Sequence, residues 1–330
     1  VHTALGFFAP MQLDSEFAAK AAHHWTKDRE AKVTGGKDWL IKPSESAEVL
    51  RAIGLLNADA SMAADSVRKF SQINHMLTLL RPVLEDLLAR HKQLRVVDAC
   101  CGTSYLSLLL AWLLRRKWHK DAQIIGIDAN AKVIETSQKR AQALGLDDVL
   151  RFTTARVGDK PWESIYSELF SVSTDGDGSL KVPRPHLVIS LHACDTATDH
   201  AMAFAVHAKA DAMAFAPCCH AELARKWKEV AEAKTQHPFS PIFQSPNIRR
   251  ETAAHFTDAM RMLLLRSRGY EVTATEFVPA AHTVKNRLLL CQRRGQFLKS
   301  AGAEFEAMKT ALLNTGIALE DLIADKLETH

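Results

Sequence analysis

Apolar positions along the chain change their spacing several times, and each change marks an element. Residues 65–89 carry Ile73, Met76, Leu77 and Leu80 at three- and four-residue intervals, which predicts an amphipathic helix interrupted near Pro82. Shorter helical patches at 16–25 and 47–56 precede it, separated by Gly35-Gly36 and Pro43. From residue 94 onward, short apolar runs alternate with longer helical stretches. Strands are expected at 94–98, 123–127, 150–154, 186–191 and 212–216, and helices at 105–116, 131–144, 161–170, 198–207 and 221–233. Loops rich in Gly, Ser, Asp and Pro fill 173–179 and 237–247. A long helix over 251–268 stops at Gly269, a fitting C-cap, and strands at 271–277 and 286–292 close the unit.

Strand and helix alternating in this way predict an α/β domain whose parallel sheet is covered by helices on both faces. The expected organisation is a helical N-terminal region over 1–65, the α/β domain over 66–295, and a helical C-terminal extension over 296–330. Sheets of this kind bind ligands beyond the carboxyl ends of their strands, where the strand order reverses. The chemistry should therefore lie just after each strand.

Composition narrows the class. The 330 residues are 47% hydrophobic and 24% charged, which argues against wholesale disorder. The most apolar run, 106–114, falls far short of the roughly 20 residues of a membrane-spanning helix, and Val1 opens no signal-like segment. Six cysteines include two adjacent pairs and no CxxC, which fits neither a disulfide framework nor a zinc ribbon. A reducing cytoplasm without membrane attachment is the expectation. Net charge is +4, but residues 66–295 hold 32 Lys and Arg against 23 Asp and Glu. That surplus permits an anionic partner such as RNA.

The first strand runs into Asp98-Ala99-Cys100-Cys101-Gly102-Thr103-Ser104. Small residues there let a backbone approach a ligand closely, and the following helix N-terminus favours a carboxylate. The second strand ends at Asp128, suited to accept hydrogen bonds from two ribose hydroxyls, with Ala129 and Asn130 beside it. The GxGxxG of dinucleotide-binding folds is absent. Alternatively the turn holds no ligand, and Asp128 only caps the next helix.

After the fourth strand comes Leu191-His192-Ala193-Cys194-Asp195-Thr196, and after the fifth Pro217-Cys218-Cys219-His220. Two strand ends crowded with His, Cys and Asp are costly to bury unless those groups are partnered or used. His192 and His220 are candidate bases, Asp195 a candidate orienting group, and Cys194, Cys218 and Cys219 candidate pocket walls. Other uses stay open: Asp195 or Thr196 as a helix cap, the cysteines as apolar filling, or a covalent cysteine nucleophile. No metal is expected, although Cys194, Cys218, Cys219 and His220 could jointly hold zinc.

The order of elements, five parallel strands followed by a helix and a closing pair, is that of class I methyltransferases. Over roughly residues 50–295 the chain resembles the bacterial S-adenosylmethionine-dependent methyltransferases of the methyltransferase domain 32 group. The resemblance is carried by Arg68-Lys69-Phe70-Ser71-Gln72-Ile73-Asn74-His75, residues 98–106, residues 191–199, Pro217-Cys218-Cys219-His220, Thr257-Asp258-Ala259-Met260-Arg261, and Glu276-Phe277 through His282-Thr283-Val284-Lys285-Asn286. A looser likeness extends to the eukaryotic 2′-O-methyltransferase of the tRNA acceptor stem. The family implies a Rossmann-like seven-stranded sheet and S-adenosylmethionine as cofactor. Asp98, Cys100, Gly102, Ser104, Asp128, Ala129 and Leu191 would border the cofactor, and Lys285 and Asn286 would join the cysteines at the substrate. Cys100 stands where the family usually has Gly, Thr103 where it has Lys, and Val284 where it has Pro. Cys100 would narrow the methionine pocket.

The function expected is methyl transfer to RNA, tRNA or rRNA, at a 2′-hydroxyl or ring position because no Asn-Pro-Pro-Tyr-type motif follows the fourth strand. Arg115-Arg116-Lys117, Arg249-Arg250 and Arg293-Arg294 are the basic clusters that would support it. A protein or small-molecule acceptor, or a non-catalytic cofactor-binding scaffold, would fit the same fold. Oligomeric state is not legible.

Overall fold

The computed structural model describes residues 15–174, 180–191, 193–233, 236–276 and 287–324. The chain folds into two compact units. The first is made of residues 1–94, 103–126 and 130–152, and the second of 95–102, 127–129 and 153–330.

In the first unit, α1 (Ser15–His24), α2 (Lys27–Thr34) and α3 (Ala47–Ala52) precede the 27-residue α4 (Ala64–Arg90). These short helices are fastened by single buried polar contacts. Trp25 Nε1 donates to the Ala60 carbonyl at 2.9 Å, and the Ile41 amide donates to Asn74 Oδ1 at 2.9 Å. Pro82 does not interrupt α4, contrary to the sequence expectation. Its ring lies on the exposed face, so the carbonyl it deprives of a partner can be hydrated. On the other face Phe70, Ile73, Met76, Leu77, Leu80, Val83, Leu84 and Leu87 are buried through both halves, and that packing carries the helix past the proline. The unit continues with α5 (Tyr105–Trp112), a π-helical turn over Leu113–Lys117, and α6 (Ala131–Ala143). Trp112 Nε1 donates to Glu48 at 3.0 Å, tying α5 to α3.

Seven strands form one sheet: β1 (Gln93–Ala99), β2 (Asp121–Asp128), β3 (Leu150–Thr154), β4 (Leu187–Ser190), β5 (Ala212–Phe215), β6 (Tyr270–Glu276) and β7 (Arg287–Arg293). Their order is β3-β2-β1-β4-β5-β7-β6. β4 runs parallel to β1, with Asp98 opposite Ile189, and parallel to β5, with Ser190 opposite Phe215. β7 lies antiparallel to β5 and to β6, so the sheet is mixed rather than all parallel. Ten residues separate β6 from β7, too few for the crossover that a parallel pairing of the two would need. β4 and β5 are buried along their whole length, as strands covered on both faces should be.

The second unit's helices are α7 (Trp162–Leu169), α8 (Thr196–His207), α9 (Glu222–Glu232), α10 (Ser240–Gln244), α11 (Pro246–Ser267), α12 (Lys299–Ala311) and α13 (Ala318–Ile323). The loop expected at 237–247 thus contains a short helix, and α11 begins five residues earlier than its periodicity suggested, at a proline suited to a first helical turn. A two-residue ribbon pairs Ser173–Thr174 with Leu180–Lys181. The C-terminal helices dock inside this unit: Arg268 reaches the Ile323 carbonyl, and Trp227 Nε1 donates to Thr315 at 3.0 Å. Among the described residues no helix is long and apolar enough to cross a membrane.

Candidate active site

The turn after β1 is wound tightly in the left-handed region. Cys100 has φ 60° and Gly102 φ 53° in the second unit, and Ser104, in the first, has φ 57° and is fully buried. For Cys100 and Ser104 this backbone costs about 1–2 kcal/mol each relative to glycine. The turn is held from the end of β2: the Cys101 amide donates to the Ile127 carbonyl, and the Gly102 amide donates to Asp128 Oδ2, both at 2.9 Å. A Cβ built on Gly102 would meet no atom within 4 Å, so the turn's backbone borders open space. Asp98 is buried at its start, while Ala129 is exposed and Leu191 half-exposed. Asp128 is not the cap of the next helix. That role falls to Asn130, whose Oδ1 accepts from the Lys132 and Val133 amides.

Burial pushes the Cys100 thiol up to about 12, helped by Asp128, Asp98 and Cys194 nearby. At neutral pH it is a protonated wall, not a nucleophile. Cys218 is likewise pushed up to about 12 by burial and by Cys194 and Cys219. These values oppose the covalent-cysteine alternative at both positions. All six cysteines are free thiols.

The loops after β4 and β5 are stapled together by Asp195. Its Oδ1 accepts from the Ala221 amide at 2.8 Å and the Glu222 amide at 3.0 Å, which caps α9 from a different strand end rather than its own helix α8. Asp195 makes this bridge with φ 50° and ψ −122°. Thr198 Oγ1 donates to the Ala193 carbonyl at 2.8 Å, tightening the same loop. The staple brings Cys194 Sγ to 3.6 Å from Cys218 Sγ, and Cys219 Sγ lies 3.8 Å from Cys218 Sγ.

His220 turns away from the thiols. Its Nε2 sits 2.9 Å from Asp258 Oδ1, with both side chains nearly buried. Asp258 belongs to a network whose centre, Asp258, Arg261 and Asp199, is buried. Arg261 Nη1 reaches Asp258 Oδ1 at 3.2 Å, while Arg261 Nε and Nη2 grip Asp199 at 2.9 and 2.7 Å. Arg261 also donates to the Asp195 carbonyl at 3.2 Å, and Arg287 donates to Asp258 Oδ2. Burial alone would push the Asp258 carboxyl up, but His220, Arg261 and Arg287 together hold it below the usual range. The carboxylate paired with His220 is Asp258, while that of Asp195 takes the Ala221 and Glu222 amides.

Asp258, Arg261, Asp199 and Arg287 carry no role in the sequence reading, although Asp258 and Arg261 lie within one of its matching stretches. A signal existed: both fall among the buried positions of α11, with Ala253, Thr257, Met260 and Leu264, where charge is unexpected. His192, Lys285 and Asn286 lie outside the described residues. The three basic clusters are largely committed within the protein. Arg115 pairs with Asp148, Arg116 reaches the Leu144 carbonyl, and Lys117 contacts Glu45 and the Leu40 carbonyl. Arg249 binds the Phe243 carbonyl, Arg250 binds Asn247, and Arg294 pairs with Glu271. By contrast Arg156, just after β3, and Arg225, in the first turns of α9, are exposed. In the first unit Lys69 and Arg140 each stand 5.9 Å from the Tyr105 ring centroid, and Arg68 pairs with Asp65.

The strand order, with an antiparallel β7 between β5 and β6, and the glycine turn held by the acidic end of β2 define a class I S-adenosylmethionine-dependent methyltransferase fold. The family model described as Methyltransferase domain, the methyltransferase domain 32 family, matches residues 68–226, and the chain carries a domain of that family. A Glutathione S-transferase C-terminal domain-containing protein homolog of Drosophila melanogaster is 27% identical over 227 residues, 62% of this chain and 33% of that protein. The 2-phytyl-1,4-naphtoquinone methyltransferase of Trichormus variabilis is 34% identical over 82 residues, 25% of this chain and 33% of that protein. The chain thus spans about a third of the length of these curated relatives. Among solved structures, the SAH-bound methyltransferase PaMTH1 of Podospora anserina is 11% identical, with 88% of this chain and 99% of that chain covered and a TM-score of 0.40.

Proposed function

We propose that the chain transfers a methyl group from S-adenosylmethionine to RNA, in tRNA or rRNA, at a 2′-hydroxyl or ring position. The turn after β1 supports the donor. Its backbone borders open space at Gly102, and the Asp128 carboxylate, a hydrogen-bond acceptor, stands beside it and takes the Gly102 amide. The residues present thus fit the cofactor: Asp98 and Gly102 would border its amino-acid end, and Asp128 and Ala129 its adenosine. When bound, S-adenosylmethionine supplies a methyl carbon on a positively charged sulfur, so alignment of the acceptor carries much of the acceleration.

His220 is the proposed proton acceptor. With Nε2–H given to the ionised Asp258, the tautomer leaves Nδ1 able to take the acceptor's proton. Asp195 acts as a positioning residue, since it holds the backbone immediately after His220. The RNA acceptor rests on one observation above the others: Arg156, just after β3, and Arg225, in α9, are exposed within a region rich in Lys and Arg.

The test is transfer of labelled methyl into an extract of a strain lacking the protein, followed by nuclease and protease digestion. Nuclease-sensitive label is expected. Label released only by protease, or found in small molecules, would overturn the RNA acceptor in favour of the second reading. That reading draws on the internal commitment of the three basic clusters. Absence of adenosylhomocysteine binding by the folded protein would overturn methyl transfer itself and leave a scaffold.

A further inference from the structure

We infer that Cys194, Cys218 and Cys219 form a three-thiolate site for a thiophilic divalent cation, with zinc the ion to test first. The inference stands on the thiols themselves and does not depend on methyl transfer. The three Sγ atoms all lie within 4.8 Å of one another, drawn from loops after two neighbouring strands. Zinc–sulfur bonds of about 2.3 Å in a tetrahedron place adjacent sulfurs about 3.8 Å apart. The observed separations of 3.6 and 3.8 Å match that edge and are far from the roughly 2.05 Å of a disulfide.

The ligand loops are organised by groups other than the thiols. Asp195 clasps the amides of Ala221 and Glu222, Arg261 holds the Asp195 carbonyl, and Thr198 holds the Ala193 carbonyl. Such outer contacts fix ligands in place before the ion arrives. Cys194 is exposed, which gives a cation access and is poor placement for apolar filling, whereas Cys218 and Cys219 are half-buried. A divalent ion would take the three side chains as thiolates, their protons passing to solvent. His220 is turned to Asp258, so among the described residues three side chains ligate and the fourth position is left to water or an incoming ligand.

The experiment uses the full chain, reduced with a phosphine and stripped of metal, titrated with zinc against a chromophoric chelator and with Co²⁺ by absorption. One equivalent of zinc and a near-ultraviolet sulfur-to-cobalt charge-transfer band are expected. Cys218→Ser and, separately, Cys219→Ser should each weaken zinc by more than the 10–100-fold typical of losing only an outer-shell partner, whereas Cys101→Ser should not. Circular dichroism confirms that each variant is folded. The inference is overturned by no stoichiometric zinc in the reduced protein, by retention of zinc in both folded variants, or by a cobalt spectrum without thiolate bands.

Discussion

Replacing Arg261 with methionine exposes how the reaction end is built. The guanidinium is 1% exposed and neutralises two carboxylates, Asp199 at 1% and Asp258 at 2%. Asp258 keeps His220 and Arg287 after the substitution, but Asp199 loses both of its bonds to Arg261. Stranding one member of a buried ion pair costs about 3–5 kcal/mol. At about 2–4 °C per kcal/mol for a unit of this size, the melting temperature should fall by about 6–20 °C. Trp227, buried in the same unit against Phe243 and Phe256, gives a fluorescence probe of that transition. The double variant Arg261→Met with Asp199→Leu removes the stranded charge as well and should recover most of the loss, because a buried pair replaced whole by apolar groups is close to neutral. If the double variant melts no higher than the single one, or if Arg261→Met shifts the transition by less than about 2 °C, the charge accounting is wrong.

Asp128→Ala should weaken adenosylhomocysteine by about 10–150-fold, the worth of hydrogen bonds to a charged acceptor, and calorimetry showing unchanged affinity would remove Asp128 from the cofactor site. Cys100→Gly should raise stability by about 1–2 kcal/mol, through relief of its positive φ, and tighten adenosylhomocysteine; denaturant titration and calorimetry check the two effects separately. His220→Ala should abolish most turnover while leaving adenosylhomocysteine affinity unchanged, and equal turnover in the two proteins would exclude His220 as the base. Because the folded Asp258 carboxyl sits below its ordinary value, its contribution is fully present above the unfolded value and is lost as pH falls through the folded one. Stability of the parent should therefore drop more steeply than that of Asp258→Asn below about pH 4, measured by denaturation at stepped pH, and parallel acid limbs would contradict this.

The strands and most helices were legible because burying a sheet on both faces demands short apolar runs between amphipathic helices, and that demand is written locally. So were the small residues after β1 and the acid after β2, which the structure joins through the bond from the Gly102 amide to Asp128. Where sequence reading failed, non-local packing decided. Pro82 is carried through α4 by buried residues on both sides of it, a matter of which face meets the core. Of the alternatives left open, the cap of α6 falls to Asn130 and not Asp128, and Asp195 takes the first amides of α9, brought to it by the packing of a different strand end.

The partner of His220 was the deepest omission. Asp258 lies 38 residues from His220, and Asp199 lies 62 from Arg261. No periodicity encodes such distances. The sequence by itself determined that histidine and cysteine would crowd two strand ends. Only the tertiary structure decided which of them meet, because the pairing of buried charges is set by the desolvation each would otherwise suffer alone, and that cost exists only once the core has closed around them.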